Sequence, residues 1–206
     1  MSNWKSITPF LLLLFVSCSE QETEPDLIVQ TIPAPRVYPK AIDRGCFIDT
    51  LGKTYLYGGK EFSQHFDFSD CSLRANQFNF GIGREAFPAL LKPEFEAVSE
   101  VPDSCYQDDT RFLFIEKDGI KKAYSIPELT RCEVVNDEIN GEPIMAAYCV
   151  LADLGAIYTR NYLDKQFTFG LSGYTYQDDS VWDGLNGFVL WDRETESLWW
   201  PLTGDA

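Results

Sequence analysis

Histidine is nearly absent from this chain: His65 is the only one among 206 residues. A Ser-His-Asp triad needs an imidazole beside its nucleophile, so that chemistry has little to stand on. The serine in Gly170-Leu171-Ser172-Gly173-Tyr174 also lacks the final glycine of a nucleophile elbow. Long apolar runs are equally scarce. The longest, Pro9 to Val16, spans about eight residues, too short to cross a bilayer. Basic residues are outnumbered, 17 against 32 acidic ones, for a formal net charge of -15. Such a surface repels phosphate backbones and excludes nucleic acid as a natural partner. Internal repeats are lacking, and so is a dinucleotide loop: Gly81-Ile82-Gly83-Arg84 is followed at once by Pro88, with no βαβ unit around it.

What is there is apolar and aromatic, 45% and 15% of the residues, ample for one domain with a sizeable core. Lys5, the short apolar run and Ser17-Cys18 read as a signal peptide over residues 1–17. "LLLLFVSC" resembles the lipobox of bacterial lipoproteins, whose cysteine is lipidated, which places the lipid on Cys18. Removing residues 1–17 takes away one positive charge, Lys5, and leaves the remainder near -16. Residues 18–40 are acidic and then proline-rich, an extended tether. The expected address is the bacterial cell envelope, lipid-anchored at the outer membrane, inward or surface-exposed. The N-terminal lipid is the contact with the membrane.

From Ala41 short aromatic and β-branched runs alternate with Gly, Asp and Asn. Residues 41–80 read as a small β region and residues 81–206 as the main β domain. Four hairpins are expected, about Asp118-Gly119, Asn140-Gly141, Asp164 and Arg193 to Glu196. The fold class is therefore mainly β with minor α, an antiparallel meander forming a barrel or a sandwich. Helix is confined to Ser125-Ile126-Pro127-Glu128, a capping box leading toward Cys132, and to a broken turn or two in residues 84–98.

Five cysteines remain beyond Cys18, and export makes up to two disulfides reasonable. A two-residue turn at Asn140-Gly141 pairs Ile139 with Glu142 and, by extrapolation, Cys132 with Cys149, at a Cα separation of roughly 4.5 Å. Pro143 then falls at a position that needs no donor, which agrees with the register. Facing thiols in this place form a structural disulfide, a redox-active pair, part of a metal site, or two inert buried groups. A metal would need further ligands such as Asp153, His65 or another cysteine. Cys46 and Cys71 bracket the N-terminal β region and form a candidate second disulfide, leaving Cys105 over.

"RFLFIEKDGIKKAYSIPELTRCEVVNDEINGEPIMAAYCVLADLG", "FTFGLSG" and "LWDRETESLWWPLTGDA" resemble the bacterial domain of unknown function 3179 family, with motifs H-E-I-V-N-D, G-x-P-V-x-V-T-Y-C-P-L-C, L-T-F-G-V-S-G and T-x-S-L-W-x-x-x-T-G. The resemblance spans about 81–206, and the family's segment beyond the last motif is missing here. It implies a histidine at Cys132, a cysteine at Cys149 and a second cysteine at Ala152, a thiolate-activating or soft-metal trio. This chain replaces two of the three. Two readings of function follow. One is a thiol-redox or metal-binding envelope protein centred on Cys132 and Cys149, with Asp153 and Asn136 as neighbours. The other is a non-catalytic lipoprotein that binds a ligand or partner, with the same cysteines as a structural bridge. No substrate, cofactor, metal or protein partner follows from the sequence.

Weaker signals have plainer accounts. His65 reads as a packed or surface histidine, and Asp178, Asp179 and Asp183 as a solvated turn rather than a calcium loop. Trp199-Trp200 reads as a sheet anchor or a ligand-stacking platform, with strand alternation burying one ring and exposing the other.

Overall fold

The computed structural model describes residues 38–182 and 186–204. The expected signal peptide, Cys18, most of the expected tether and Asp183 lie outside the described residues. Pro39 and Lys40 already pair with Phe80 and Asn79. Strands β1 (Phe47–Thr50), β2 (Lys53–Leu56) and β3 (Phe66–Asp67) form a three-stranded antiparallel sheet. After them come β4 (Phe78–Phe80) and β5 (Leu90–Leu91). Residues 84–98 hold β5 and no helix, contrary to expectation, since Pro88 and Pro93 remove the donors a helix would need.

The hairpin of β6 (Phe112–Lys117) and β7 (Ile120–Ser125) turns at Asp118 and Gly119, with φ of 51° and 80°. Both left-handed values match a type I′ turn. Helix α1 (Ile126–Cys132) starts where expected: the Ser125 hydroxyl accepts from the Glu128 N-H at 3.4 Å, while the Glu128 carboxylate pairs with Arg131 instead of closing the box. Strands β8 (Val134–Ile139) and β9 (Glu142–Cys149) turn at Asn140-Gly141, φ 49° and 77°, in the expected register from Ile139 with Glu142 to Val134 with Ala147. β10 (Leu154–Thr159) continues the meander.

There the meander breaks. Asp164 lies in the turn of a two-residue ribbon, β11 (Asn161–Tyr162) with β12 (Lys165–Gln166), which carries the chain into a different sheet. That sheet is built from β13 (Phe169–Tyr176), β14 (Gly187–Asp192) and β15 (Leu198–Trp199), with β4 on the far edge. Gly173 makes the junction with the loop before β5. Its φ is +84°, and a Cβ there would stand 2.2 Å from the backbone of Gly83, so only glycine fits.

The fold is thus mainly β and antiparallel, except that β5 joins β8 in parallel. Among the described residues no strand links the two four-stranded sheets, which stay open and stack as layers. Val134, Met145, Ala147 and Cys149 of one pack against Phe169, Leu171, Phe188 and Leu190 of the other. The back of the first sheet carries Val135, Ile144, Ala146 and Tyr148 against Tyr124, Ile126 and Leu129. The back of the second, with Tyr174, Val189 and Trp191, packs on Leu56 and Phe66, so residues 41–80 share a core with the β13–β14 pair. Each central strand therefore sends alternate side chains into two cores, and β9 accordingly reads as a continuous apolar run from Ile144 to Cys149. Burying each valine, leucine or phenylalanine contributes roughly 1.5–3 kcal/mol.

Candidate functional site

The register that aligns Ile139 with Glu142 does not reach Cys132. Helix α1 runs through that residue, and Glu133 ends it in the left-handed region at φ 57°, ψ -23°. Pairing starts at Val134, with one further hydrogen bond from the Tyr148 N-H to the Glu133 carbonyl at 2.9 Å. The reversal at Glu133 puts Cys132 with Leu113, Ile115 and Ile157 on one face of the sheet, while Cys149 belongs to the core on the other. The expected facing pair, and with it the Cys132–Cys149 disulfide, is corrected: both are free thiols. Cys46 and Cys71 are likewise unbridged, packed separately among the rings of the N-terminal core, and Cys105 is exposed and free.

Neither central thiol is set up for nucleophilic work. Burial raises the Cys149 thiol pKa against the pull of the backbone amides of Ala152, Leu151 and Phe188. Burial likewise raises that of Cys132, opposed by the amides of Val134 and Leu90. Glu133 is 7% exposed, and desolvation pushes its carboxyl up to about 7. Its charge raises both thiols further. This buried acid went unnoticed in the sequence; the clue was its position right after the last helical residue, where an αL cap turns the side chain inward.

Asp153 is drawn away from Cys149. Its carboxylate takes the Arg111 guanidinium at 2.9 and 2.8 Å and the Tyr148 hydroxyl at 2.5 Å, and Arg111 holds its pKa below the usual range. His65 accepts from the Gly58 N-H and packs against Tyr57 and Phe62. Among the described residues no three His, Cys, Asp or Glu side chains gather as a metal site.

Asn136 faces Cys149's side of the sheet but serves as a clamp. Its amide donates to the Phe169 carbonyl and accepts from the Phe169 N-H, both at 2.8 Å, joining the two sheets. On the opposite face Asp137 takes the Lys122 ammonium and the Tyr124 hydroxyl at 2.7 Å each. Arg160 donates to the carbonyls of Ile144, Phe167 and Asp137. These polar groups are spoken for within the fold.

Among several concavities, one is aromatic. A cavity of about 130 Å³ lies where β10, the β11–β12 ribbon and the end of β14–β15 meet, lined by Met145, Tyr158, Tyr162, Phe167, Phe169 and Trp199 among others. Trp199 stands perpendicular to Tyr162 and to Phe169, with centroids 5.8 Å away in both cases and interplanar angles of 89° and 83°. Phe167 closes another side at 5.7 Å. The Trp199 indole N-H donates to Asp192 at 2.7 Å, and the Tyr158 hydroxyl donates to the Pro201 carbonyl. Strand alternation divides the tryptophan pair only in part: Trp200 is 2% exposed, Trp199 is half-buried rather than exposed as expected, and both line the cavity.

A family model described as a protein of unknown function, DUF3179, matches residues 84–206. The chain belongs to the DUF3179 family. No curated protein and no solved structure is matched. Within DUF3179 the matched span includes all of the cavity lining, α1 and both central thiols, whereas β1 to β4 precede it. The tryptophan pair was visible in the sequence, but the other rings were not, since Tyr158 lies on β10, Tyr162 on the ribbon, and Phe167 and Phe169 at the entry to β13, and their meeting depends on the crossing between sheets.

Proposed function

We propose that the protein is a non-catalytic, ligand-binding lipoprotein of the bacterial envelope, and that the aromatic cavity is where the ligand sits. The observation that carries this reading is a concave, ring-lined surface in which the Trp199 indole and the Tyr158 hydroxyl are engaged within the fold, while the two central thiols are unbridged and kept protonated by burial. Binding pockets have this character, apolar walls with few free polar groups. Nothing in the arrangement activates a nucleophile or gathers a metal. The lipobox-like segment that ends at Cys18 and the acidic residues after it support the envelope part.

Titration with 3,3-dimethylbutanol, a compact neutral probe, followed by tryptophan fluorescence, tests the binding part. Saturable quenching that Tyr162→Ala weakens is the expected result; Tyr162 is 55% exposed, so the variant keeps its fold. Quenching that is linear, or unchanged in the variant, would refute it. For the anchor, Cys18→Ala is expected to abolish palmitate incorporation and release the protein from the membrane fraction. Retention of both contradicts the lipoprotein reading.

A further inference from the structure

Resting on the ligand-binding reading above, we infer that the cavity takes a quaternary ammonium group, the methylated cation found free in choline-like solutes or carried as a lipid headgroup. The lining residues contribute no lysine, arginine or histidine, so an anion would enter without a countercharge. Two polar groups that could orient a sugar or a phosphate are already committed, the Trp199 indole to Asp192 and the Tyr158 hydroxyl to Pro201. Thr159 accepts from the Asn161 N-H at 3.2 Å. The Trp200 indole N-H, without a partner among the described residues, and the Asn161 amide are further polar groups of the lining, and the rest of the wall is mainly ring carbon: Tyr162 and Phe169 at right angles to Trp199, with Phe167 beside them.

Perpendicular aromatic walls around a small void hold methylated cations by their ring quadrupoles, and a methylated ammonium, which has no N-H to donate, loses little on leaving water. Charge selects between such a cation and a neutral guest of the same shape. Asp192 is fully buried, with 0% exposure, and its carboxylate accepts from Trp199, Thr195 and the Thr195 backbone. Among the described residues no basic side chain forms an ion pair with it. The Asp192 carboxyl oxygen accepts from the indole N-H and so pushes electron density into the ring that walls the cavity, strengthening its attraction for a cation. The net charge of -15 concentrates cations around the molecule in the same sense.

The test compares choline with 3,3-dimethylbutanol, its neutral isostere, on the full chain by calorimetry and tryptophan fluorescence. Choline is expected to bind about tenfold more tightly. Tyr162→Leu keeps an apolar wall but removes a ring; it is expected to lower choline affinity about fivefold and leave the neutral probe unchanged. Glycerophosphocholine distinguishes the sources. Binding equal to choline supports a headgroup, and loss of binding with choline retained supports a free solute. Equal affinity for choline and the alcohol overturns the cation inference and leaves the binding reading standing. Failure of both probes to bind overturns the two together.

Discussion

The two faces of the β8–β9 pair are built on opposite plans. The face toward β13–β14 is carbon almost throughout, with Val134, Met145, Ala147 and Cys149 interrupted by Asn136, whose amide is fully used on Phe169. The face toward β6–β7 and α1 carries ionisable groups within its apolar packing: Asp137 on Lys122 and Tyr124, Asp153 on Arg111 and Tyr148. The comparison teaches where chemistry is spent. Charged groups on the second side pair with one another, Asp137 with Lys122 largely buried and Asp153 with Arg111 at the surface, and the first face carries no charge.

The division can be broken most severely at its clamps. Arg160→Met removes the donors to three buried carbonyls and is expected to lower stability by about 3–5 kcal/mol, read as a fall in the urea midpoint. Asn136→Ala leaves the Phe169 N-H and carbonyl without partners between the sheets, at about 2–4 kcal/mol. A smaller loss at either site would mean that the sheets hold together by apolar contact alone.

Glu133 sharpens the comparison by pH. Its folded pKa of about 7 lies above the ordinary 4.5. Below about 4.5 both folded and unfolded chains hold the proton, and no difference arises. As pH rises from there to 7 the unfolded chain ionises first, so stability falls, and above 7 the full penalty is present. Glu133→Gln is expected to match the natural chain at pH 4 and to exceed it by about 2–3 kcal/mol at pH 8, measured by urea denaturation at both values. The smallest effect belongs to the exposed Arg111–Asp153 pair: Asp153→Asn is expected to leave the urea midpoint unchanged within error, since solvent screens a surface ion pair.

The turns were legible because their chemistry is local. Asp118-Gly119 and Asn140-Gly141 accept positive φ at both positions, and Ser125 caps α1, so two hairpins and one helix could be placed from a few residues each. The register of β8 with β9 followed from the turn. Its extension to Cys132 failed because helix propagation from Ser125 competes for the same residue and wins, and a single αL residue at Glu133 redirects everything before it. The parallel pairing of β5 and the crossing after β10 were not legible, since each depends on partners more than 25 residues away or in another sheet. The cavity inherits that difficulty: its rings come from β10, the ribbon, the start of β13 and the end of β15, with no spacing that marks them as one site.

The separation of Cys132 from Cys149 is tested by oxidising the native chain with copper-phenanthroline, blocking the remaining thiols in denaturant and mapping the peptides by mass spectrometry. With the sulfurs in cores on opposite faces, no peptide linking the two should appear while the urea midpoint stays native, and alkylation without oxidant should reach Cys105 first, Cys132 next and Cys149 only on unfolding. A Cys132–Cys149 crosslink formed in good yield without loss of stability would contradict the arrangement.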